Sequence, residues 1–189
     1  MLNLGLEQTP VASQSGKTGP MTISMHEASV GFFVPFLNNL SGLLDRAARH
    51  AEARKIDPSV LLKMRLFPNM YDFTQQVAEV NRHAVVACAL LADQDPLIFP
   101  ATEADIPELK SRTGRAVTFV HSLPREKIEQ AADREVTFRY KSGAEGKFTG
   151  RSLLLTLSIP QFFFHLTTAY DILRHAGVEI VKRDFLGPA

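Results

Sequence analysis

Apolar residues recur at intervals of three and four along four long stretches of this chain, and this pattern limits the fold more than any other feature. The first stretch carries them at Val30, Phe33, Val34, Leu37, Leu40, Leu44 and Ala47. The second runs from about Met70 to Ala92, the third begins after Asp105, and the fourth lies between Arg151 and His175. An α-helix turns once every 3.6 residues, so this spacing collects apolar side chains on one helical face. Four such helices predict a mainly α protein, a four-helix bundle.

Residues at the ends and in the middle of these stretches predict where the helices start, bend and stop. Ser24 and Glu27 have the spacing of a capping box, which satisfies two free amides at a helix start. Pro35 lies inside the first pattern and predicts a kink, and Pro160 predicts an interruption of the last one. Gly177 is well placed to end the last helix in a left-handed conformation.

Between the third and fourth helices the apolar period changes from about 3.6 to 2. Val136, Phe138 and Tyr140 alternate with polar residues, which is typical of a strand. The glycines of the segment 142–146 favour a loop, and a return strand is expected around Phe148. The sequence therefore predicts a short inserted β-hairpin.

Composition sets further limits on the protein class. The first twenty residues contain three glycines, two prolines and no aromatic residue, so residues 1–20 are expected to be a flexible leader, with Met21 as an alternative start, and residues 21–189 to be the helical domain. Lys and Arg number 21 against 20 Asp and Glu, which argues against nucleic-acid binding. A single cysteine, Cys88, cannot form an intrachain disulfide. With neither a signal peptide nor an apolar run of about 18 residues, a cytoplasmic protein without membrane contact is expected.

His165 is the most informative of the candidate site residues. It follows three phenylalanines on the most apolar helix, and a buried imidazole needs a hydrogen-bond partner or a metal. Gln161 lies one turn earlier on the same face, and the spacing of His83 within the second long helix directs it inward. These three residues and Tyr170 are the candidates for lining a ligand pocket.

A metal is a second interpretation of the same residues. Helical metal pairs usually lie at positions i and i+4, but here that pair would be Gln161 and His165, and glutamine is a poor ligand for zinc or nickel. His165 and His83 form an incomplete set of metal ligands. The favoured interpretation is therefore a structural His165 that is hydrogen-bonded and holds no cofactor. A divalent zinc or nickel ion remains the alternative.

The consecutive phenylalanines Phe162, Phe163 and Phe164 raise the question of oligomeric state. At 100° per residue their side chains spread over about 200°, so they cannot all face one core. Either the helix is enclosed within the chain, or one phenylalanine contacts a second copy in a homodimer.

Three blocks of the sequence resemble a known bacterial and fungal family of unknown function within the DinB/YfiT-like superfamily. They are the segment Ile159-Pro-Gln-Phe-Phe-Phe-His165 continuing to Val178, the tail Lys182-Arg-Asp-Phe-Leu-Gly187, and Arg65-Leu-Phe-Pro-Asn-Met70 with Gln76-Val77. The resemblance implies a DinB-like four-helix bundle with an inserted hairpin over about residues 21–187.

The resemblance also bears on the metal. Enzymes of the superfamily typically hold a metal with three histidines, two of them at i and i+4 on a late helix and one on an earlier helix. His165 is similar in position to the later histidine of the pair, Gln161 replaces the other, and His83 lies on a suitable earlier helix. Three functions therefore follow as hypotheses: a small-molecule-binding bundle without established catalysis, a metal-dependent hydrolase or thiol transferase, and a homodimeric structural or stress-associated protein.

Overall fold

The computed structural model describes residues 22–100 and 103–187 of the chain. The predicted leader and the alternative start at Met21 lie outside the described residues. Within them the helices are α1 (Met25–Ala28), α2 (Val30–Arg54), α3 (Pro58–Lys63), α4 (Phe73–Leu91), α5 (Ile106–Ser122) and α6 (Arg125–Glu129). After strands β1 (Glu135–Arg139) and β2 (Glu145–Thr149) come α7 (Gly150–Ser152), a π-helical turn (Leu153–Ser158), α8 (Ile159–His175) and α9 (Lys182–Leu186). The mainly α fold with one inserted hairpin is confirmed.

Four long helical segments form the bundle. Helix α2 packs mainly against α5, and α4 packs against both α5 and α8. The core consists of the predicted apolar stripes, and its largest fully buried side chains include Phe33, Phe73, Leu109 and Phe162. Each such side chain contributes about 1.5–3 kcal/mol when it leaves water, so the stripes account for the association of the helices.

The helix ends follow the predicted capping chemistry at both ends of the bundle. The Ser24 hydroxyl accepts a hydrogen bond from the Glu27 amide, and the Glu27 carboxylate accepts one from the Ser24 amide. Gly177 has φ +84°, the left-handed conformation that ends a helix. Helix α2 continues through Pro35, and a break separates α1 from α2 at Ser29; the kink at Pro35 stays a prediction.

The predicted interruption at Pro160 is wrong, because residues Gly150–His175 form one continuous helical segment. Pro160 lies in the first turn of α8, directly after the π-helical turn. The wider turn accommodates a residue that lacks an amide hydrogen. By length and composition this segment could also cross a membrane, but Phe162, Leu166 and Ile172 pack in the core of the bundle, as expected of a core helix. A cytoplasmic location stays a prediction.

The hairpin lies against the outer side of α4. Its strands pair antiparallel, with Val136 opposite Phe148, and Val136 and Phe138 are buried as the alternation predicted. Arg134, just before β1, donates to the carbonyl oxygens of Leu90 and Leu91 at 2.8 and 2.9 Å. Because the last carbonyls of a helix lack partners within it, Arg134 fixes the hairpin to the end of α4.

The three consecutive phenylalanines of α8 have three different environments. Phe162 is fully buried, whereas Phe163 packs on Phe32 and Phe36 with ring centroids 5.4 and 5.0 Å away. Phe164 is 56% exposed. The bundle therefore encloses two of the three rings.

Candidate functional site

A cavity of about 290 Å³ lies between α4, α8 and the hairpin. Helix α4 contributes Glu79, Arg82 and His83 to its lining, and α8 contributes Gln161 and His165. The loop before α4 and the hairpin add tyrosines, a phenylalanine and a lysine. The cavity is therefore the place where the candidate polar residues of two core helices meet.

Four aromatic rings are stacked along the wall of this cavity. The imidazoles of His83 and His165 are nearly parallel, with centroids 5.7 Å apart. Phe138 is nearly parallel to His83 with its centroid 6.3 Å away, and Tyr71 is nearly parallel to His165 with its centroid 6.2 Å away. Both histidines are buried, with 3% and 7% exposure. The stack fixes the plane of each imidazole and leaves only its edges for polar contacts.

The hydrogen bonds of Gln76 set the tautomer of His165. The side-chain amide nitrogen of Gln76 donates to the Tyr71 carbonyl at 3.1 Å, so its oxygen is the atom that faces His165 Nδ1 at 2.7 Å. An amide oxygen only accepts, and Nδ1 must therefore carry the hydrogen. This assignment leaves a lone pair on Nε2, and no hydrogen bond among the described residues involves that atom.

The loop before α4 holds Tyr71 and Gln76 in place. Arg65 donates to the carbonyl of Met70 and to the Asp72 carboxylate. Asp72 in turn caps α4 by accepting from the Gln75 amide at 2.9 Å. The Arg65–Met70 block thus supports the ring stack from outside the cavity.

Glu79 is a buried carboxylate with two cationic partners. Arg82 Nε donates to one carboxylate oxygen at 2.9 Å, and Lys141 Nζ forms an ion pair with the other. Burial alone would raise the pKa of Glu79, but the hydrogen bonds and charges of Lys141 and Arg82 outweigh it, so the pKa lies below its usual value. Glu79 is therefore ionised at neutral pH.

Both histidines are neutral at neutral pH. Burial, aided by the charge of Arg82, lowers the pKa of His83 to about 3. Burial also lowers the pKa of His165. Arg82 Nη2 lies 3.3 Å from His83 Nε2, and a guanidinium only donates, so the hydrogen of neutral His83 is on Nδ1. That buried Nδ1 has no hydrogen-bond partner in the described part of the chain.

The structure brings three of the four predicted pocket residues together. His83, His165 and Gln161 line the cavity, and in His165 the predicted hydrogen-bonded imidazole is present with Gln76 as its partner. Tyr170 lies elsewhere, with its ring 5.7 Å from that of Phe185 in α9. Its direction on α8 turns it toward the C-terminal tail and away from the cavity.

Sequence reasoning missed Glu79, Arg82 and Lys141. One available signal was the i, i+4 spacing of Glu79 and His83 on a single helix, which is the spacing that helical ligand pairs use. Lys141 gives no such signal, because only the folded hairpin brings it to α4.

The metal that the resemblance implies can be tested against these residues. Glu79, His83 and His165 each offer one donor atom, and these atoms lie within 4.8 Å of one another. Two imidazoles and one carboxylate are a known zinc donor set, although two donors on one zinc are at most about 4.4 Å apart. The residues fit a divalent ion in donor type. Binding it requires the side chains to move inward and Arg82 to release both Glu79 and His83 Nε2.

Comparison with known proteins agrees with this architecture. A crystal structure of a DinB family member from Shewanella denitrificans is similar to the chain, with a TM-score of 0.80 and 30% sequence identity over 87% of this chain and 93% of that one. The protein is thus a DinB-like helical bundle. The family model described as Domain of unknown function (DUF1993) matches residues 25–186, and the chain belongs to that family. No curated protein matches it.

Proposed function

We propose that this protein binds a small molecule in the cavity between α4, α8 and the hairpin. The observation that carries the proposal is unused hydrogen-bonding capacity at buried imidazoles. His83 Nδ1 is buried without a partner among the described residues, and the hydrogen bond that His165 makes within them uses Nδ1 and not Nε2. Buried polar groups in folded proteins are nearly always hydrogen-bonded, so a ligand is the natural source of the missing partners.

A larger groove elsewhere supports this function less well. It measures about 800 Å³ and lies between α2 and the C-terminal tail. Two contacts cross this groove: Arg46 pairs with Asp184 at 2.6 Å, and the Asn39 side chain donates to the Phe185 carbonyl at 3.1 Å. These contacts anchor the tail to α2, which gives the groove a structural role.

The histidine ring signals provide a direct test of the small-molecule function. A set of small metabolites is added to the full chain while the ring resonances of all six histidines are followed by NMR. A ligand of the proposed cavity shifts His83 and His165, whereas His175, which is exposed at the end of α8, serves as the internal control. Compounds that bind but shift only other histidines would contradict the proposal.

A metal-dependent function is the second candidate, and the tautomer of His165 favours it. Gln76 supports the imidazole from Nδ1, as the outer partners of metal-bound histidines do, and this leaves Nε2 free beside Glu79 and His83. These three residues would hold the ion. A bound divalent ion would supply a Lewis acid and an activated water for hydrolysis or thiol transfer.

Elemental analysis separates the two candidates. The purified protein is stripped with a chelator, reloaded with zinc and dialysed before its metal content is measured. The metal candidate predicts one zinc per chain, lost in His165→Ala and kept in the matched control His175→Ala. Equal zinc contents in the two variants would reject the triad and leave the metal-free small-molecule function standing.

A homodimer is also proposed, supported by the 56% exposure of Phe164 beside the cavity. A second copy would remove this ring from water. Light scattering tests the proposal: the wild type should have twice the mass of a chain and Phe164→Glu the mass of one, whereas a monomeric wild type would refute it.

A further inference from the structure

The charges that line the cavity do not balance. Glu79 carries one negative charge, and Arg82 and Lys141 carry one positive charge each, so the lining has a net charge of +1. Protonation of Glu79, His83 or His165 would add positive charge, and so would a divalent ion. None of these changes reverses the positive sign of the lining, which favours a negatively charged ligand.

The two cations retain donors that Glu79 does not use. Among the described residues, the hydrogen bonds of Arg82 involve Nε and Nη2, and none involves Nη1. Lys141 Nζ has three hydrogens, and its partners are the Glu79 carboxylate and the face of the Tyr71 ring at 5.2 Å. Lys141 is half exposed at the mouth, with 56% of its side chain accessible, so it can contact an entering ligand.

The remainder of the lining is aromatic or neutral. Phe138 and Leu157 supply an apolar wall, and Tyr71 and Tyr140 supply rings with hydroxyl groups at their edges. A volume of about 290 Å³ is at the lower limit for small-molecule sites, which are typically about 300–1,000 Å³. The cavity therefore suits a compact ligand with a flat apolar body.

From this arrangement we infer that the ligand is a small organic carboxylate whose anionic group is bound by Lys141 and Arg82 and whose body lies against the exposed ring of Tyr71. Glu79 is then an internal competitor, because it holds the same two cations in the absence of ligand. The inference rests on the proposed small-molecule function of this cavity and does not depend on a metal.

Benzoate and benzamide form a matched pair of probes, because they differ mainly in the charge of one group. Each is titrated into chelator-treated full-length protein in a buffer without carboxylate or phosphate, and the His165 ring resonances are followed by NMR. Benzoate should bind at least about ten-fold more tightly than benzamide, which is the usual range for a hydrogen bond to a charged group. Equal affinities, or no shift with benzoate at tens of millimolar, would overturn the inference.

Two lysines of the hairpin region give a matched test of the site. Lys141→Gln should weaken benzoate binding by about ten-fold and leave benzamide binding unchanged. Lys147→Gln is the control, because Lys147 also pairs with a glutamate, Glu135 at 2.9 Å, but lies outside the cavity. Equal effects of the two substitutions on benzoate would place the anion elsewhere and overturn the inference.

Glu79→Gln provides a test of opposite sign. Removing the competing carboxylate frees Arg82 and Lys141, so benzoate affinity should rise, while any zinc binding through the triad should fall. Weaker benzoate binding in a folded Glu79→Gln variant would contradict the inference. If benzamide shifts the His165 ring as strongly as benzoate does, the anion inference fails but the small-molecule function survives.

Discussion

Helix α8 carries two buried aromatic side chains one turn apart, in opposite surroundings. Phe162 is fully buried with its ring 4.9 Å from that of Phe33 in α2. His165 is nearly as buried, but it contacts Gln76 and His83 of α4. The same face of the helix thus joins an entirely apolar contact to a buried polar cluster one turn further along.

The difference shows how stability and function are divided in this bundle. Contacts such as Phe162 with Phe33 gain free energy from every buried atom. In contrast, the buried Glu79, His83 and His165 carry desolvation costs that their partners offset only in part. A buried polar cluster that is present despite its desolvation cost is a candidate for function. Four predictions test the difference between this cluster and the apolar contact.

The largest effect is expected at the apolar contact. Phe162→Ala should lower the free energy of unfolding by about 3–5 kcal/mol, because it leaves a cavity as well as losing buried surface. Urea denaturation measures this change, and an unaltered dependence on urea concentration confirms that the same transition is observed. A loss below about 1 kcal/mol would show that the contact between Phe162 and Phe33 does not provide the stability expected of it.

Within the polar cluster, the support that Gln76 gives to His165 should matter for metal affinity. Gln76→Leu removes the acceptor for Nδ1–H, and loss of such an outer partner typically weakens metal binding by about 10–100-fold, or about 1.4–2.7 kcal/mol. Competition with a chromogenic zinc chelator measures the affinity. The exposed Gln130→Leu serves as control, and equal zinc affinities in the two variants would contradict the tautomer assignment.

The stability of the polar cluster should depend on pH. The pKa of His83 is lowered to about 3 in the folded chain, whereas the unfolded chain takes up this proton below about pH 6.5. Because the unfolded state then binds more protons, the free energy of unfolding should fall between pH 7 and pH 5, by about 2 kcal/mol from this residue.

His165 adds to the same fall in stability, since its pKa is also lowered. The range from pH 7 to pH 5 lies above the pH at which folded Glu79 takes up a proton, because the pKa of Glu79 is lowered. Urea denaturation of metal-free protein at both pH values measures the effect. His83→Gln should reduce the difference and His121→Gln, at an exposed position, should keep it. A stability independent of pH over this range would show that His83 is not buried neutral.

The smallest effect is expected at Phe164, the exposed ring next to His165. In protein dilute enough to be monomeric, Phe164→Ala should change the free energy of unfolding by no more than about 0.5 kcal/mol, as is usual for exposed positions. The comparison with Phe162→Ala is internal, because the two residues share a helix and differ mainly in burial. A loss above about 1 kcal/mol in the monomer would contradict this prediction, whereas a loss that appears only as the protein concentration rises is the result that the proposed homodimer requires.

The sequence predicts the bundle well because helical periodicity is local. The stripes and the caps at Ser24 and Gly177 depend on residues within one or two turns of each other. The inward direction of His83 and His165 follows from the same periodicity. The prediction of an interruption at Pro160 is wrong because a π-helical turn directly before the proline lets the helix continue. No residue propensity marks such a turn.

The site is less predictable because its partners are distant along the chain. The hydrogen bond from His165 to Gln76 spans 89 positions. Lys141 follows strand β1, and it pairs with Glu79 because the hairpin packs against α4. Tyr170 was a plausible candidate by proximity to His165. Five residues on a helix correspond to about 140° of rotation from His165, so the periodicity of α8 turns Tyr170 away from the cavity, where it contacts Phe185.

The π-helical turn has a consequence for the direction of His165. A π turn holds more residues than an α turn, so helix α8 leaves it with a different angular phase from α7. Leu153, the first residue of the turn, packs with Val136 and Phe138 of the hairpin, while His165 beyond it faces α4. Deleting one residue between them would rotate one part relative to the other by about 100°. The direction of the His165 imidazole therefore depends on the number of residues in the preceding π-helical turn as much as on the residues that His165 contacts.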